Sequence, residues 1–486
     1  MNTVKSKMVL LFNKLLLLFG IIFFLLSFIS SLANIRIFFN SYSTVILLLL
    51  FSLCLLVVFY HLTRKYMSKK QFIFFLILVT LTLRLAWVLL INTQPFSDFL
   101  HMYSAAQLAE KGDFSFIYSN YFSRWPYQLG FTTYEALVIQ FFGDHLLILK
   151  LLNIAYNIGT TLIIYYITST VFNEMCGRIA SFTYAIYIPN IIMSSVLTNQ
   201  HISTFLFFLA FYLFIREKFW IEKATWLYTG LLFGIGNLMR PLGSFFLLGF
   251  IAYVLIYKFI ISPKNNLLLV AKKTLGVLTI YFLVQQLFSY SLVAAELTQQ
   301  KLANTEPYWK FMVGLNPHSN GQWTQQDTDY VLQFPIGKER DEAQLELFKE
   351  RLEDDQLLNL FSRKFSIMWG GEDTSVIWSL MGMEKPSLME SLIQVERIGY
   401  TLLIFLGMIS MILLFFSSYQ HQYALFLIIL LGYALIHFII EIQTRYRFDV
   451  MPSIFILQSY SIYWAFQKLY YNQDERAKTR KKKDIL

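Results

Sequence analysis

Residues 72–92 read FIFFLILVTLTLRLAWVLLIN, and the residues that follow, 93–98, read TQPFSD. The first stretch is apolar over about 20 residues, which is the length that an α-helix needs to cross the hydrocarbon core of a bilayer. The second stretch contains a proline and a serine before its acid, so a helix ends there and another can begin. The pair predicts a membrane span followed at once by a polar turn that carries Asp98.

The composition extends this interpretation to the whole chain. Apolar residues make up 56% of its 486 residues and charged residues 14%, with a mean hydropathy of +0.53. A soluble domain needs about a quarter of charged residues to cover its surface, and a disordered chain has few apolar ones. The composition therefore excludes both classes and predicts an all-α polytopic membrane protein.

About twelve apolar stretches reach or approach the length of a membrane span. They are residues 8–31, 43–61, 72–92, 147–169, 178–195, 201–215, 225–238, 241–258, 273–293, 396–416, 422–440 and 448–466. Lys5 and Lys7 precede the first stretch, which lacks a signal-peptidase site, so we expect an uncleaved first span. An even number of spans puts both ends of the chain on the same side.

The distribution of positive residues predicts on which side of the membrane the two ends lie. Lys and Arg are about threefold more frequent in one set of short loops, and such loops remain in the cytosol. We therefore expect cytosolic termini in the plasma membrane, with two segments outside: the first polar segment, residues 93–146, and the second polar segment, residues 294–395. In the second, residues 338–355 read as an amphipathic helix. Orientation and anionic lipid account for the net charge of +10, so no nucleic-acid partner is predicted.

The spans and polar segments divide the chain into five parts. These are two extra N-terminal helices (1–71), a transmembrane module (72–293) that includes the first polar segment, an extracytoplasmic loop or small domain (294–395), C-terminal transmembrane helices (396–466), and a basic cytosolic tail (467–486). Cys54 and Cys176 predict neither a disulfide framework nor a metal–thiolate site.

Within the first polar segment, residues 98–111 favour a short helix that ends at Gly112. Asp98 would lie in its first turn, where the helix dipole keeps a carboxylate ionised. Such a carboxylate could accept a proton from an incoming hydroxyl; the alternative is that Asp98 only starts the helix. A second helix, from residue 131 to 143, should lie along the interface with Glu135 and Gln140 toward its polar side.

Four arginines stand where positive charge is expensive or unexpected. Arg84 lies inside a span and either snorkels or faces a phosphate. Arg240 follows a broken helix pair and either lines a cavity or anchors the interface. Arg445 and Arg447 lie on the side where positive residues are scarce, and guanidinium groups bind phosphate bidentately. The alternative for Arg445 is an ion pair with Glu441.

The remaining motifs indicate a function less clearly. Gly230, Gly234 and Gly236 suit close helix packing, and no strand precedes them as a dinucleotide loop requires. His101 lies three residues after Asp98 and is either structural or part of the site. The sequence has no HExxH, GxSxG or Walker motif, so a metalloprotease, a serine hydrolase and an ATPase have no support.

The order of the motifs resembles a known superfamily. Its elements here are Asp98 after a span, Tyr103, Ala106 and Gly112, the Trp125-Pro126-Tyr127 turn, a helix ending at Phe142-Gly143, the turn Thr198-Asn199-Gln200-His201, the glycines before Met239-Arg240-Pro241, and Glu441 with Arg445-Tyr446-Arg447 and Pro452. Together they resemble the GT-C glycosyltransferases that depend on polyprenyl-phosphate sugars, such as the protein O-mannosyltransferases of family 39 and the aminoarabinose transferase of lipid A.

The resemblance implies a GT-C fold and an inverting glycosyltransferase. The donor would be a polyprenyl-phosphate-linked sugar, and the acceptor an extracytoplasmic hydroxyl of a cell-wall glycopolymer, a lipid-linked glycan or a protein. Asp98 would be the catalytic base. The expected donor-phosphate residues are Arg445, Arg447, Tyr446, Arg240 and Arg124. The expected wall of the site is formed by Arg84, His101, Tyr103, Asn199, Gln200 and His201.

The chain departs from the family pattern in two ways, and two alternative functions remain open. Many relatives carry an acid in the second polar turn, where this chain has Asn199, Gln200 and His201, so no metal and no cofactor is predicted. The spans before residue 72 look like additions to the family core. A flippase or transporter of lipid-linked glycans would spread polar residues through the spans, whereas here they cluster at the outer ends. A glycan polymerase or ligase would use lipid-pyrophosphate donors, but the Asp98 pattern favours the monophosphate class.

Overall fold

The computed structural model describes residues 2–260, 266–298, 302, 304–417 and 421–483, with side chains from Lys7 to Lys468 within these ranges. In this part of the chain every regular element is a helix or a helical turn. The tail predicted for residues 467–486 lies mostly outside the described side chains. The all-α class predicted from the composition is confirmed.

The helices are numbered in chain order. They are α1 Asn2–Ile35, α2 Tyr42–Tyr66, α3 Lys69–Leu90, α4 Asp98–Glu110, α5 Asn120–Arg124, α6 Leu129–Phe142, α7 Leu146–Val171, α8 Glu174–Ile186, α9 Ile188–Ile192, α10 Gln200–Ile215, α11 Lys218–Ile221, α12 Thr225–Met239, α13 Gly243–Tyr253, α14 Leu267–Ala294, α15 Trp309–Gly314, α16 Gln325–Leu332, α17 Lys338–Leu352, α18 Leu357–Gly370, α19 Ser375–Leu380, α20 Pro386–Phe415, α21 Tyr423–Ile436 and α22 Met451–Lys483.

Six helices of the described part are long and apolar enough to cross a membrane: Lys7–Ile35 within α1, then α2, α3, α7, α14 and α20. Three shorter apolar helices, α10, Gly243–Phe259 and α21, coincide with predicted spans. The remaining predicted spans fall on α8, α12 and α22. The chain is therefore a polytopic helical membrane protein, while the total of twelve crossings stays a prediction.

One predicted span is not a single helix. The sequence predicts a continuous helix over 178–195, but α8 ends at Ile186 and the chain continues as the short α9 and a 3-10 turn, Met193–Ser195. Pro189 lies at the start of α9. Proline has no N–H to donate and its ring clashes with the preceding turn, so the helix must end before it.

Aromatic side chains fill the centre of the bundle. Phe208 and Phe211 of α10 pack against Phe246 of α13 and Phe426 of α21, and all four are fully buried. The N-terminal helix α1 is part of this core, because its Phe24 lies against Gly407 of α20, where a Cβ would overlap the ring. In contrast, α2 leaves most of its apolar surface exposed, as a lipid-facing helix does.

The two polar segments are joined by a buried ion cluster. Glu306 of the second polar segment accepts two hydrogen bonds from Arg124 of the first, at 2.7 and 2.8 Å. The same carboxylate accepts from Arg340 at 2.8 Å and from Gln344 at 3.1 Å. Charge-assisted, bidentate pairing of this kind fixes geometry as well as adding energy. The second polar segment is thereby docked over the first.

The helices predicted in both polar segments are present, but one orientation is wrong. Gln140 of α6 is exposed, as expected, whereas Glu135 is fully buried and neither of its carboxylate oxygens has a partner in the described structure. The reason is that α6 is covered by α12 as well as α4, with Gly130 directly against the carbonyl of Leu238. Burial raises the pKa of Glu135 well above its usual value, so this carboxyl is neutral.

Candidate active site

A cavity of about 980 Å³ lies where the polar segments meet the ends of the spanning helices. We call it the main cavity. Its walls come from the start of α4, the turn between α12 and α13, the turn after α21, and the second polar segment. Its charged and aromatic lining includes Asp98, His101, Arg124, Trp125, Tyr127, Arg240, Lys310, Trp378, Glu441, Arg445 and Tyr446.

Asp98 is presented to the main cavity by a strained turn. Helix α3 ends at Leu90, and the chain reaches α4 through Pro95, Phe96 and Ser97. Ser97 has φ +53° and ψ −131° and provides no side-chain cap to the helix. Such a backbone conformation costs a non-glycine residue about 1–3 kcal/mol and persists only where the surroundings enforce it. The first residue of α4 is therefore held in one orientation.

The carboxylate of Asp98 is half-buried and has neither a hydrogen bond nor an ion pair among the described residues. Burial raises its pKa above the usual value; the nearby charges of Arg445 and Lys310 lower it in part, and Glu441 raises it. The sequence expects an ionised acid, and the raised pKa makes that ionised form a stronger base than an exposed aspartate. Its lone pairs are available to a molecule in the cavity.

Arg445 faces the same space. Its Nε donates to Gln443 at 2.8 Å, and its guanidinium lies 4.5 Å from the ring centre of Trp378 and 5.3 Å from that of Phe99. Its two terminal nitrogens have no hydrogen-bond partner among the described residues. The alternative of an ion pair with Glu441 is not found in this part of the structure. Arg445 therefore holds a fixed position with its fork free.

Tyr446 stands at the centre of three cations. The Nζ of Lys310 lies 5.1 Å from its ring centre, and the guanidinium carbons of Arg445 and Arg240 lie 5.3 and 5.6 Å from it. A tyrosine ring attracts cations through its electron-rich face. Positive charge from three distant parts of the sequence is thus gathered around one ring at the wall of the cavity.

Arg240 is the most fully paired of these cations. Its guanidinium contacts Asp449 at 3.1 and 3.2 Å and donates to Asn199 at 3.0 Å. Gln200 donates to the backbone oxygen of Arg445 and to Asp449, so it positions the arginine turn without lining the cavity. Asn199 and Arg240 both line the cavity.

Arg124 touches the cavity, but its guanidinium group is already paired within the protein. It forms the bidentate pair with Glu306 and is sandwiched by Trp125 and Trp309, whose ring centres lie 4.5 and 4.8 Å away. His101 also lines the cavity, and its ring stacks on Tyr121 at 4.9 Å. Arg124 therefore stabilises the joint between the polar segments and has little capacity left for a phosphate.

Arg447 was predicted to bind phosphate, and the structure places it away from the cavity. It is fully buried and donates to the carbonyls of Thr444 and Gly371 and to the carboxylate of Asp373. Its guanidinium also lies over the ring of Tyr400, at 4.5 Å. Every nitrogen of its fork is used within the protein, because the 3-10 turn Thr444–Asp449 points residue 447 inward where it points 445 to the cavity.

Two further residues predicted for the wall, Tyr103 and His201, lie outside the lining of the main cavity. Tyr103 faces the opposite side of α4, where it donates to Asp144. His201 is buried on α10 and bonds to Asn157 and to the backbone of Met193. Both point away because a helix turns about 100° per residue, so residues near a site in sequence need not share its face.

Arg84 is fully buried in α3 and also lies outside the lining of the main cavity. It donates to the carbonyls of Thr80 and Ala185. Its Nε and second terminal nitrogen have no partner in the described structure. The sequence leaves two alternatives for Arg84, snorkelling toward the head groups or facing a phosphate. Both require its guanidinium group to reach the membrane surface or the cavity, whereas in the structure other helices enclose it.

Sequence reasoning missed the contribution of the second polar segment. Lys310, Trp309, Trp323 and Trp378 all line the main cavity, whereas the sequence predicts only an extracytoplasmic loop or small domain with one amphipathic helix here. The run Tyr308-Trp309-Lys310, in which a cation follows two aromatic residues, is the signal that could have drawn attention to it. Among the described residues, no group of three or more His, Cys, Asp or Glu side chains is placed to hold a metal ion.

Comparison with known proteins gives little beyond this geometry. No family model matches the chain, and no curated protein does. A solved structure, the archaeal oligosaccharyltransferase AglB from Archaeoglobus fulgidus in complex with an inhibitory peptide and a dolichol-phosphate, is similar with 13% identity and a TM-score of 0.33. The match covers 80% of this chain and 56% of that one. The chain thus spans about half the length of AglB, and a likeness of this size assigns no family.

Proposed function

We propose that the chain is a membrane glycosyltransferase that moves a sugar from a polyprenyl-phosphate carrier to an acceptor hydroxyl in the main cavity. The observation that supports this most directly is the unpaired carboxylate of Asp98 in the same cavity as the unpaired fork of Arg445. Sugar transfer from a lipid phosphate needs both: a base for the incoming hydroxyl and a fixed cation for the departing phosphate.

In the proposed reaction Asp98 is the general base. The acceptor hydroxyl approaches the sugar carbon that carries the phosphate, and its proton passes to the Asp98 carboxylate as the new glycosidic bond forms. The bond between that carbon and the phosphate oxygen breaks, with inversion at the carbon. A raised pKa favours this role, because a base is most effective when its pKa approaches the working pH.

Arg445 would stabilise the leaving group. The donor phosphate is a diester with one negative charge, and the product is a monoester with two; at the same time Asp98 loses its charge by accepting a proton. The total charge of the site is thus unchanged, while the negative charge moves toward Arg445. A guanidinium that is already oriented by Gln443 and Trp378 stabilises that movement without reorganising.

The apolar part of the cavity can accept the carrier. Leu238 near the end of α12, Leu242 in the following turn and Phe245 at the start of α13 line the cavity. Ile436 and Ile440, at and just after the end of α21, line it too. Apolar surface of this kind suits a prenyl chain entering from the membrane. The reaction requires no nucleotide, and we propose no metal or other cofactor. The acceptor would be an extracytoplasmic glycan or protein, reached from the open side of the cavity.

A transfer assay tests the proposal. The purified full chain is mixed with a panel of polyprenyl-monophosphate sugars and a membrane and cell-wall extract, and the release of polyprenyl monophosphate is measured. Asp98→Asn should lower turnover by about 10²–10⁴-fold, because it keeps the shape of the side chain and removes the base. A chelator should leave the wild-type rate unchanged.

Asp113→Asn is the matched control. It makes the same chemical change on the same polar segment at a fully exposed position, and its turnover should equal that of the wild type. Near-normal turnover by Asp98→Asn would exclude the proposed base. Translocation of an intact lipid-linked sugar, without cleavage of the sugar–phosphate bond, would instead indicate a flippase.

A further inference from the structure

We infer that Lys310 is a second ligand of the carrier phosphate, supplied by the second polar segment, and that the neighbouring carboxylate of Glu441 competes with the phosphate for its ammonium group. The inference rests on the proposed function, since it concerns the same cavity and the same carrier. It adds a residue, and a whole segment, that motif and sequence order do not connect to the phosphate site.

The backbone fixes Lys310 beside the arginine turn. Its carbonyl oxygen accepts a hydrogen bond of 2.8 Å from the N–H of Glu441. Four residues on, Gly314 lies so close to Ile440 and Glu441 that an added Cβ would stand 2.3–2.6 Å from their backbone atoms. Lys364 of α18 joins the two segments, because its ammonium group donates to the carbonyl of Gly314 in α15 and to the carbonyls of Phe438 and Ile440. Helix α15 is therefore held directly against the chain that leads to Arg445.

The ammonium group is close to an anion but not satisfied by it. Nζ of Lys310 lies 3.9 Å from the nearer oxygen of Glu441, which is beyond hydrogen-bond distance. Glu441 has a better partner, since Gln443 donates to it at 2.7 Å. The ammonium group of Lys310 donates no hydrogen bond to any described residue, and 44% of the side chain is exposed. Its three N–H groups remain available to a ligand.

The same position puts Lys310 in the wall of the cavity that Arg445 lines. Both cations lie just over 5 Å from the ring centre of Tyr446. Arg240, the third cation around that ring, is already paired with Asp449. Burial lowers the pKa of Lys310, but Tyr446 and Glu441 raise it by more, so its pKa lies above the usual value and it is charged at neutral pH. A phosphate between Arg445 and Lys310 would gain two charge-assisted contacts.

Equilibrium binding tests the inference without any transfer. The purified chain in lipid nanodiscs is titrated with polyprenyl monophosphate, and separately with polyprenol and with inorganic phosphate. Lys310→Met, which keeps the apolar stem over Tyr446, should weaken binding of the lipid phosphate by about tenfold to a hundredfold. Lys310→Arg should retain most of it. Lys338→Met, at an exposed lysine of the same segment, should have no effect.

Glu441→Gln should change the affinity for polyprenyl monophosphate in the opposite direction. If Glu441 competes with the phosphate for Lys310, its neutral variant should bind polyprenyl monophosphate more tightly than the wild type does. That gain should disappear in the double variant with Lys310→Met, because the two residues act through one contact. Polyprenol should show neither effect, and inorganic phosphate should bind more weakly than the lipid phosphate.

The outcomes separate the two proposals. If Arg445→Ala weakens binding and Lys310→Met does not, the phosphate site exists and the inference about Lys310 is wrong. If neither variant changes binding of polyprenyl monophosphate, the proposed function loses its donor site. A loss of inorganic phosphate binding in Lys310→Met, with binding of polyprenyl monophosphate unchanged, would assign Lys310 to a separate anion site and overturn its role in carrier recognition.

Discussion

Asp98 and Arg445 affect each other electrostatically but form no ion pair, and this separation matters for a base. A carboxylate in a close salt bridge shares its lone pairs with the partner and has a depressed pKa. At Asp98 burial has the larger effect, so the pKa is raised although Arg445 opposes it. The nearby Tyr127, also in the cavity, has its pKa raised to about 12 by burial and stays neutral.

The pH dependence of transfer should report this coupling. The rate falls as the pH decreases through the pKa of Asp98, because the protonated acid cannot accept the hydroxyl proton. A positive charge stabilises the carboxylate, so Arg445→Gln should raise that pKa further and shift the acid limb of kcat/KM to higher pH. Arg363→Gln, at an exposed arginine on α18, should leave the profile unchanged; an unshifted limb in Arg445→Gln would show that the limb belongs to another group.

Stability should change in the opposite direction to activity at Asp98. A carboxyl whose pKa is raised by folding stabilises the fold below its unfolded pKa, and this contribution is lost as the pH rises through the folded pKa. Asp98→Asn is neutral at every pH, so above that range it should unfold at the same temperature as the wild type or at a higher one. Thermal unfolding at two pH values measures this; a large destabilisation at pH 8 would mean that Asp98 is structural.

Arg447 should behave differently from Arg445 for a structural reason. Its replacement by alanine leaves Asp373 buried without its cation, and breaking a buried pair costs about 3–5 kcal/mol. We expect Arg447→Ala to lower the unfolding temperature strongly, whereas Arg445→Ala should keep stability and lose affinity for the donor. Thermal unfolding of the two variants beside donor titrations distinguishes them. If Arg447→Ala has normal stability but impaired donor binding, Arg447 contributes to the phosphate site and its role is not structural.

At the scale of elements, apolar length and turn residues located most of the long apolar helices, although they missed the break within 178–195. Residues 72–92, the short helix from Asp98 to Gly112 and the broken pair around Arg240 all lie within two or three residues of the observed helices. The sequence did not predict which face of each short helix is buried. Glu135 and Arg447 are buried because distant helices cover them, and no local pattern carries that information.

Contacts between the polar segments were equally beyond local reasoning. Glu306 meets Arg124 across 182 positions of sequence, and Lys310 reaches Tyr446 from another loop. A motif places residues along the chain, whereas pairing of this kind depends on how two loops dock. The charge pattern could identify Arg445 because a positive charge on the expected outer side is unusual, but a lysine in a polar loop is common.

The Glu306 cluster should control that docking. Glu306→Ala leaves Arg124 and Arg340 buried without an anion, at a cost of about 3–5 kcal/mol, and should speed proteolysis of the second polar segment. Glu342→Ala removes an exposed i,i+4 pair with Lys338 and should change little, since such pairs contribute at most about 1 kcal/mol. Cleavage rates in nanodiscs compare the two. Equal rates would mean that other contacts hold the segment.

At the scale of the whole molecule, everything proposed for the cavity depends on which side of the membrane it faces. The two polar segments meet at one end of the bundle, as Arg124 and Glu306 show. The distribution of Lys and Arg predicts that this end lies outside, because positive loops stay in the cytosol. A lipid-linked sugar and an acceptor at the cell surface can meet only there, so the orientation is a condition for the proposed chemistry.

Cysteine labelling of intact cells tests the orientation without an activity assay. In a background where Cys54 and Cys176 are replaced by serine, single cysteines are placed at Ser119, Glu339 and Lys65, all exposed positions. An impermeant maleimide should react at 119 in the first polar segment and at 339 in the second. Position 65, in the last turn of α2, should react only after the cells are permeabilised. Labelling of 65 alone in intact cells would place the cavity in the cytosol, and a cytosolic cavity would have to draw on cytosolic acceptors.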